Sequence, residues 1–314
     1  MTALVDVNLV SCNHEPFIAQ AIESVLAQQT DFEYRLVIAA DGSTDRTHEI
    51  IRSYAERDSR IHTILETENI GIAHPGRPGI KAFRASTARY VAILDGDDFW
   101  TDPRKLQKQV DFLEQHPDYS ISFHNARIQY ENASTGPELF SKPTQKQTST
   151  ITDLLRGNFI FTGSVMFRNC RPGELPDWFH TCLTGDWVLH ILSAQHGKIG
   201  YLNEVMAVYR VHHGGFWTVT DDLGQAKDRI KTLDSLEEYL DLKHRKTVRD
   251  ARSYAYQALS EVHYQRDEFA ESLAALRKSL QICLDNHSVP NRQLIGRLIK
   301  LRLISLAGAS RHST

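Results

Sequence analysis

Asp95-Gly96-Asp97-Asp98 packs three carboxylates into four residues. Like charges this close repel, and the cost calls for a compensating cation. Hard oxygen donors of this kind suit Mg2+ or Mn2+, which takes one or two carboxylates and completes its shell on phosphates. A solvated turn is the plainer account, but Val91-Ala92-Ile93-Leu94 before it and Phe99-Trp100 after it predict an enclosed one. Two more polar clusters, Ser11-Cys12-Asn13 and Asp41-Gly42-Ser43, also follow apolar runs. Ligands of open α/β sheets bind beyond the carboxyl ends of strands, so the three clusters can converge. Asp186 opens an apolar helical run, Trp187–Leu192, where an acid suits either a helix N-terminus or a general base. His212 and His213 follow a strand-like run, Val205–Val211; neighbours on a strand face opposite ways, so at most one serves the site. Gly71–Arg77 spaces superficially like a phosphate loop but has Arg and Pro where Lys and Ser or Thr are required.

The elements that must position these groups alternate two periods. Val5–Val10, Tyr34–Ala40, Ile61–Leu65 and Tyr90–Leu94 read as strands. Phe17 to about Gln28, the stretch after Asp45, and Leu106 to about His116 read as amphipathic helices. This alternation predicts an α/β fold, a mostly parallel sheet with helices on both faces. Glu131–Thr150 reads as a surface loop, and Gly163–Phe167 as a further strand. Beyond about Asp222 only helical patterns remain, which suggests a domain at 1–224 and a helical extension at 225–314. Tyr254–Asn286 resembles one tetratricopeptide repeat; one copy builds no solenoid, so a packed helical hairpin is expected. Leu294–Leu306 is apolar with Arg297, Lys300 and Arg302 interspersed. It fits peripheral contact with an anionic membrane or docking on its own domain, and is expected to be dispensable for folding.

Composition bounds the rest. The 314 residues are 41% hydrophobic and 24% charged, with a net charge of −3, so no basic field argues for nucleic acid. Cys12, Cys170, Cys182 and Cys283 form no metal or disulfide spacing and are expected as small core residues in a reducing compartment. The N-terminus lacks the pattern of a signal peptide, and no uncharged run reaches the ~18 residues of a membrane span. A cytoplasmic protein is expected, with the inner membrane face as the place of any peripheral contact.

With these elements in order, the chain resembles a family 2 inverting glycosyltransferase of the GT-A fold. The resemblance runs over roughly residues 5–215 and rests on ADGSTDRT, ENIGIA, YVAILDGDDFWTDPRKLQKQVDFL, GDWVLHI and YRVHHGG, in family order. It implies Mg2+ or Mn2+ held by Asp97 and His212, with Asp95 on the ribose or the metal shell and Asp98 a supporting neighbour. It implies Ser11, Cys12 and Asp41 in the nucleotide pocket, Arg77 at the diphosphate or base, and Asp186 as general base. The implied substrates are a nucleotide-sugar donor, a UDP-sugar favoured, and a glycan or lipid-linked acceptor, as in surface polysaccharide biosynthesis. Ala40 stands where the family usually has an acid, and Val10-Ser11-Cys12 where it has Pro-Thr-Tyr, which leaves the nucleobase open. The rivals are a non-catalytic nucleotide-sugar-binding module with a partner-recruiting helical tail, and a nucleotidyltransferase. The latter needs a Gly-rich basic loop near the N-terminus, and Ser11–Phe17 is not one.

Overall fold

A computed structural model describes residues 3–67, 77–131, 136–170, 175–215 and 220–311. Four parallel strands form one half of a nine-stranded sheet: β1 (Val5–Ser11), β2 (Tyr34–Ala40), β3 (Ile61–Leu65) and β4 (Tyr90–Asp95), in the order β3-β2-β1-β4. β1 and β2 are buried along almost their whole length, as expected of parallel strands covered on both faces. Alternation divides the two faces. Leu36, Ile38 and Ala40 of β2 pack with α1 (Ile18–Leu26), α2 (Thr47–Ala55) and α4 (Lys105–Gln115). Val37 and Ala39 pack with Ala82 of α3 (Arg77–Ala85). α1 buries Ile18, Ala21, Ile22 and Val25, the stripe its sequence spacing predicts.

Register aligns the strand ends that matter. Ser11 pairs with Ala40 and Val10 with Asp95. The ladders continue one residue further, Asp41 N donating to Ser11 O (3.1 Å) and Gly96 N to Val10 O (2.8 Å). All three polar clusters therefore begin on one edge of the sheet.

The other half is mixed. β8 (Met166–Arg168) runs antiparallel to β4 and to β6 (Tyr119–Tyr130), and β6 pairs in parallel with β9 (Lys198–Val211). β5 (Phe99–Trp100) and β7 (Thr148–Ser149) are antiparallel to β9. The β5 pairing sets Phe99 opposite Val208, which draws the acidic turn towards the end of β9. α5 (Ile151–Arg156) and α6 (Gly185–Ala194) complete this half.

Several expectations need correction. Gly163–Phe167 is not one strand: a 3-10 turn, Thr162–Ser164, precedes β8. A Cβ on Gly163 would lie 2.7 Å from the Phe161 ring, so the close approach in this turn demands glycine. Residues 138–141 do not form a free loop but run along β6, with Ile128 N on Glu138 O and Phe140 N on Ala126 O. Of the cysteines only Cys182 and Cys283 are buried; Cys12 is half-buried and Cys170 exposed. The Gly71–Gly76 segment lies outside the described residues, as does Trp217.

The chain divides into two compact units, Met1–Leu154 with Asn158–Gly215, and Leu155–Gly157 with Phe216–Thr314. In the second unit α7 (Asp222–Tyr239), α8 (Leu242–Gln265), α9 (Phe269–Asp285) and α10 (Arg292–Arg311) follow one another. α8 and α9 form the expected hairpin, close-packed through small hydroxyls: Ser253 with Ser279 and Ser260 with Ser272, each pair 2.8 Å apart. Leu294 and Leu301 of α10 are buried with Leu276 and Cys283, so the terminal helix belongs to this core and is not a dispensable appendage. Among the described residues no helix is long and apolar enough to cross a membrane.

Candidate active site

β4 ends at Asp95, and the turn after it is folded by Asp98 N donating to Asp95 O at 3.0 Å. Gly96 is required for space: a Cβ there would lie 2.8 Å from His14 Nδ1 and from Ser11 Oγ. Among the described residues neither of those buried atoms has a hydrogen-bond partner. Asp97 Oδ2 meets His212 Nε2 at 3.0 Å and His14 Nε2 at 3.7 Å. Asp98 is buried, and its Oδ1 accepts Arg210 N at 2.8 Å. The Arg210 guanidinium lies over the rings of Phe99 and Phe17, 4.5 and 5.1 Å from their centroids, and donates to Asp97 O and Gln20 Oε1. Arg210 thus clamps the acidic turn to β9 and α1.

The second part of the site lies on α6. Asp186 sits in its first turn, and Oδ2 accepts Asn158 Nδ2 (3.0 Å) and Thr162 Oγ1 (3.3 Å). Trp100, two residues beyond the acidic turn, donates its indole N–H to Gly163 O at 2.8 Å. The segment that holds Asp186 is therefore tied to the segment that carries Asp95–Asp98.

Electrostatics couple these groups. Burial pushes Asp95 well above the usual carboxylate range, and the charges of Asp97 and Asp186 push it further. Asp98 is raised in the same way, by burial and then by Asp97 and Asp95. Burial also opposes ionisation of Asp97, but the His212 hydrogen bond and nearby His14 outweigh it and hold its pKa low. The same hydrogen bond raises His212, whereas burial lowers His14. Tyr209 is pushed up to about 12, first by burial and then by Asp98, Asp97, Asp95 and Asp186 in turn. The charges of all four acids act on this one phenol.

The donor set fits a hard divalent ion. Crowded carboxylates with unrelieved repulsion, an imidazole on Asp97 and two orphaned polar atoms beside it are what such an ion would relieve. Among the described residues no three His, Cys, Asp or Glu side chains stand ready in ligand geometry. Mg2+ and Mn2+ do not require a complete protein cage, because phosphates and water finish their shell.

Of the residues singled out in the sequence, Ser11, Asp41, Asp95, Asp97 and His212 lie on this edge. Ser11 and Asp41 are buried, Cys12 is half-buried, and the Asp41 carbonyl accepts His48 Nε2 at 2.9 Å. His213 turns the other way, to Glu131 at 2.7 Å. Arg77 opens α3, but its side chain lies outside the described residues. Trp187 is a core residue, its indole bonded to Leu154 O at 2.8 Å, while Trp178 is half-buried in the 3-10 turn Asp177–Thr181. His14, Tyr209, Arg210, Asn158 and Thr162 were not foreseen as site residues. His14 follows the polar residues that end β1, and Tyr209 and Arg210 stand beside His212 in YRVHHGG, whereas Asn158 and Thr162 had no local signal.

A parallel βα core with acids at its strand ends, extended by a mixed half-sheet with a further acid on α6, has the layout of a GT-A fold. The Glycosyl transferase family 2 model matches residues 6–170. An uncharacterized Mycobacterium tuberculosis protein is 37% identical over 246 residues, 77% of this chain and 69% of that one. The putative teichuronic acid biosynthesis glycosyltransferase TuaG of Bacillus subtilis is 30% identical over 210 residues, 66% of this chain and 79% of its own. Among solved structures, S. aureus TarS with UDP-GlcNAc aligns at TM-score 0.55 and 15% identity, over 90% of this chain and 88% of that one. The mannosyltransferase PcManGT of Pyrobaculum calidifontis, with GDP-Man and Mn2+, aligns at 0.56 and 17%, over 98% and 81%. At such identities the structures speak to fold alone. The chain belongs to glycosyltransferase family 2 and is an enzyme of that class.

Proposed function

We propose that the protein is a divalent-metal-dependent inverting glycosyltransferase. It moves a sugar from a nucleoside diphosphate, UDP in the first instance, to a glycan or lipid-linked acceptor in surface polysaccharide assembly. The observation that carries this reading is that Asp95, Asp97 and Asp98 share one strand-end turn, which the Trp100 indole ties to the turn whose Thr162 holds Asp186. It supports one site with a diphosphate side and a base side. On the diphosphate side, Ser11, Cys12, Asp41 and Arg77 serve the nucleotide, and Asp95 serves the ribose or metal shell. Asp97 and His212 would hold Mg2+ or Mn2+, which supplies charge that neutralises the departing diphosphate.

On the base side, Asp186 accepts the acceptor's hydroxyl proton as that oxygen bonds the anomeric carbon. The bond from that carbon to the diphosphate oxygen breaks, and the nucleoside diphosphate leaves with the electron pair. One displacement inverts the centre. The name of TuaG supports a polysaccharide product, and the ligands of TarS and PcManGT support a nucleotide-sugar donor. Mn2+ in PcManGT supports the ion. The same reading lays α10 against an anionic membrane surface. Ile295 and Ile299 are exposed on it, and from Asn286 onward the chain has Arg292, Arg297, Lys300, Arg302 and Arg311 and no acid.

The test is calorimetric titration with UDP, with and without Mn2+. Wild type should bind more tightly with Mn2+, and Asp97→Ala should lose on the order of tenfold or more of that gain. Equal affinity with and without the ion in wild type rules out the metal role.

A further inference from the structure

Asp186 does not stand alone at the start of α6. Its Oδ2 receives both described hydrogen bonds, from Asn158 Nδ2 and Thr162 Oγ1, and among the described residues nothing donates to Oδ1. We propose that Asn158 and Thr162 are positioning residues for the base, occupying one carboxylate oxygen so that the other is presented to the acceptor hydroxyl. This rests on the role proposed above for Asp186.

Both donors are themselves fixed. Asn158 Oδ1 accepts Ile160 N at 3.2 Å, which turns the amide so that its NH2 faces the carboxylate. Thr162 opens a 3-10 turn whose next two carbonyls are occupied by buried donors, Gly163 O by Trp100 Nε1 (2.8 Å) and Ser164 O by Gln109 Nε2 (2.9 Å). Ser164 Oγ closes the turn on Phe161 O at 2.6 Å. A hydroxyl so mounted gives the carboxylate little freedom to rotate. Pre-organised orientation of a reacting group is where positioning residues act, and loss of orientation costs rate more than binding.

The Trp100 bond adds a geometric consequence. The turn that holds the base is anchored to the residue two beyond Asp98, so a buried hydrogen bond links base side and diphosphate side directly. The acceptor oxygen must fit between these two sides.

The experiment measures nucleotide release from the best substrate in a panel of UDP-, GDP- and dTDP-hexoses, with water as acceptor and Mn2+ present. Thr162→Val should lower kcat about tenfold, and Asn158→Ala with Thr162→Val by on the order of 10²-fold, with affinity for the nucleoside diphosphate unchanged. Thr162→Ser keeps the hydroxyl and should recover most of the loss. Circular dichroism and melting confirm that each variant folds. The deciding measurement repeats Thr162→Val in an Asp186→Asn background, where it should change the residual rate less than about twofold because the group it positions is gone. An equal fall in both backgrounds overturns the positioning role while leaving the base intact. A Thr162→Ser variant as slow as Thr162→Val also overturns it. Near-normal release by Asp186→Asn alone defeats the role of Asp186, and this inference with it.

Discussion

Gly96→Ala perturbs the site through space alone. The added methyl carbon would sit 2.8 Å from His14 Nδ1, 2.8 Å from Ser11 Oγ and 2.9 Å from Ser11 Cβ, so the turn, β1 or the His14 ring must move. Ser11 is 1% exposed at the end of a central strand, which leaves little room to yield. Overpacking of this kind costs about 1–3 kcal/mol. For a unit of this size that lowers the melting temperature by roughly 2–12 °C. If UDP with Mn2+ needs Ser11 and His14 where they now stand, the same energy weakens its binding by about five- to 150-fold. Gly79→Ala is the control, because among the described residues its Cβ would meet only Val10 Cγ2, at 3.9 Å, and helical alanine should be neutral or stabilising. Thermal scanning and UDP titration of the two variants give the result. A Gly96→Ala protein that melts with wild type and binds UDP equally well refutes the packing argument.

Two further outcomes are expected. His190 is fully buried and held neutral, its pKa driven down to about 4 by burial against the opposing pull of Asp186. The unfolded chain then binds the extra proton between about pH 6.5 and that value, so stability falls as pH falls through this window. Asp95 and Asp98, raised in the folded state, contribute slopes of opposite sign, so the informative quantity is a difference. Urea unfolding of His190→Leu should show a slope lower than wild type by about 1.4 kcal/mol per pH unit across that window, and identical slopes would contradict it. At the other end of the chain, Ile299 is 57% exposed on α10. Ile299→Asp should abolish co-sedimentation with phosphatidylglycerol vesicles without changing the melt; a wild type that ignores such vesicles at low salt ends the membrane reading.

How far the sequence reached depends on where the stabilising partners lie. β2 is a buried or half-buried run and β3 sets Ile61, Ile64 and Leu65 around the exposed His62 and Thr63, and the bounds of both were legible from local pattern alone. β6 was not, because Ser120, Ser122, His124 and Asn125 interrupt it although all are buried. Their partners are remote: Gln109 Nε2 reaches Ser122 O at 3.1 Å, and Ser141 N reaches Asn125 Oδ1 at 2.8 Å. No local window contains both ends of such a bond. The site divides in the same way. Asp95–Asp98 and Asp186 carry chemistry by residue type, and His212 follows from the turning of a strand. Asn158 and Thr162 are ordinary polar residues whose meaning appears only when the fold brings them to Asp186. Arg210 was not singled out because its partners, the Phe17 and Phe99 rings, Asp97 O and Gln20 Oε1, are all remote in sequence.

The central claim is that one acid on α6 does the chemistry while the strand-end acids bind the donor. Asp186→Asn keeps the side chain's size and its place beside Asn158 and Thr162 but removes a usable base. Measured side by side, the affinity of this variant for UDP with Mn2+ should match wild type, while its turnover of the preferred nucleotide sugar falls by on the order of 10²-fold or more. Turnover near the wild-type rate would contradict the account, and so would a loss of UDP affinity as large as the loss of rate.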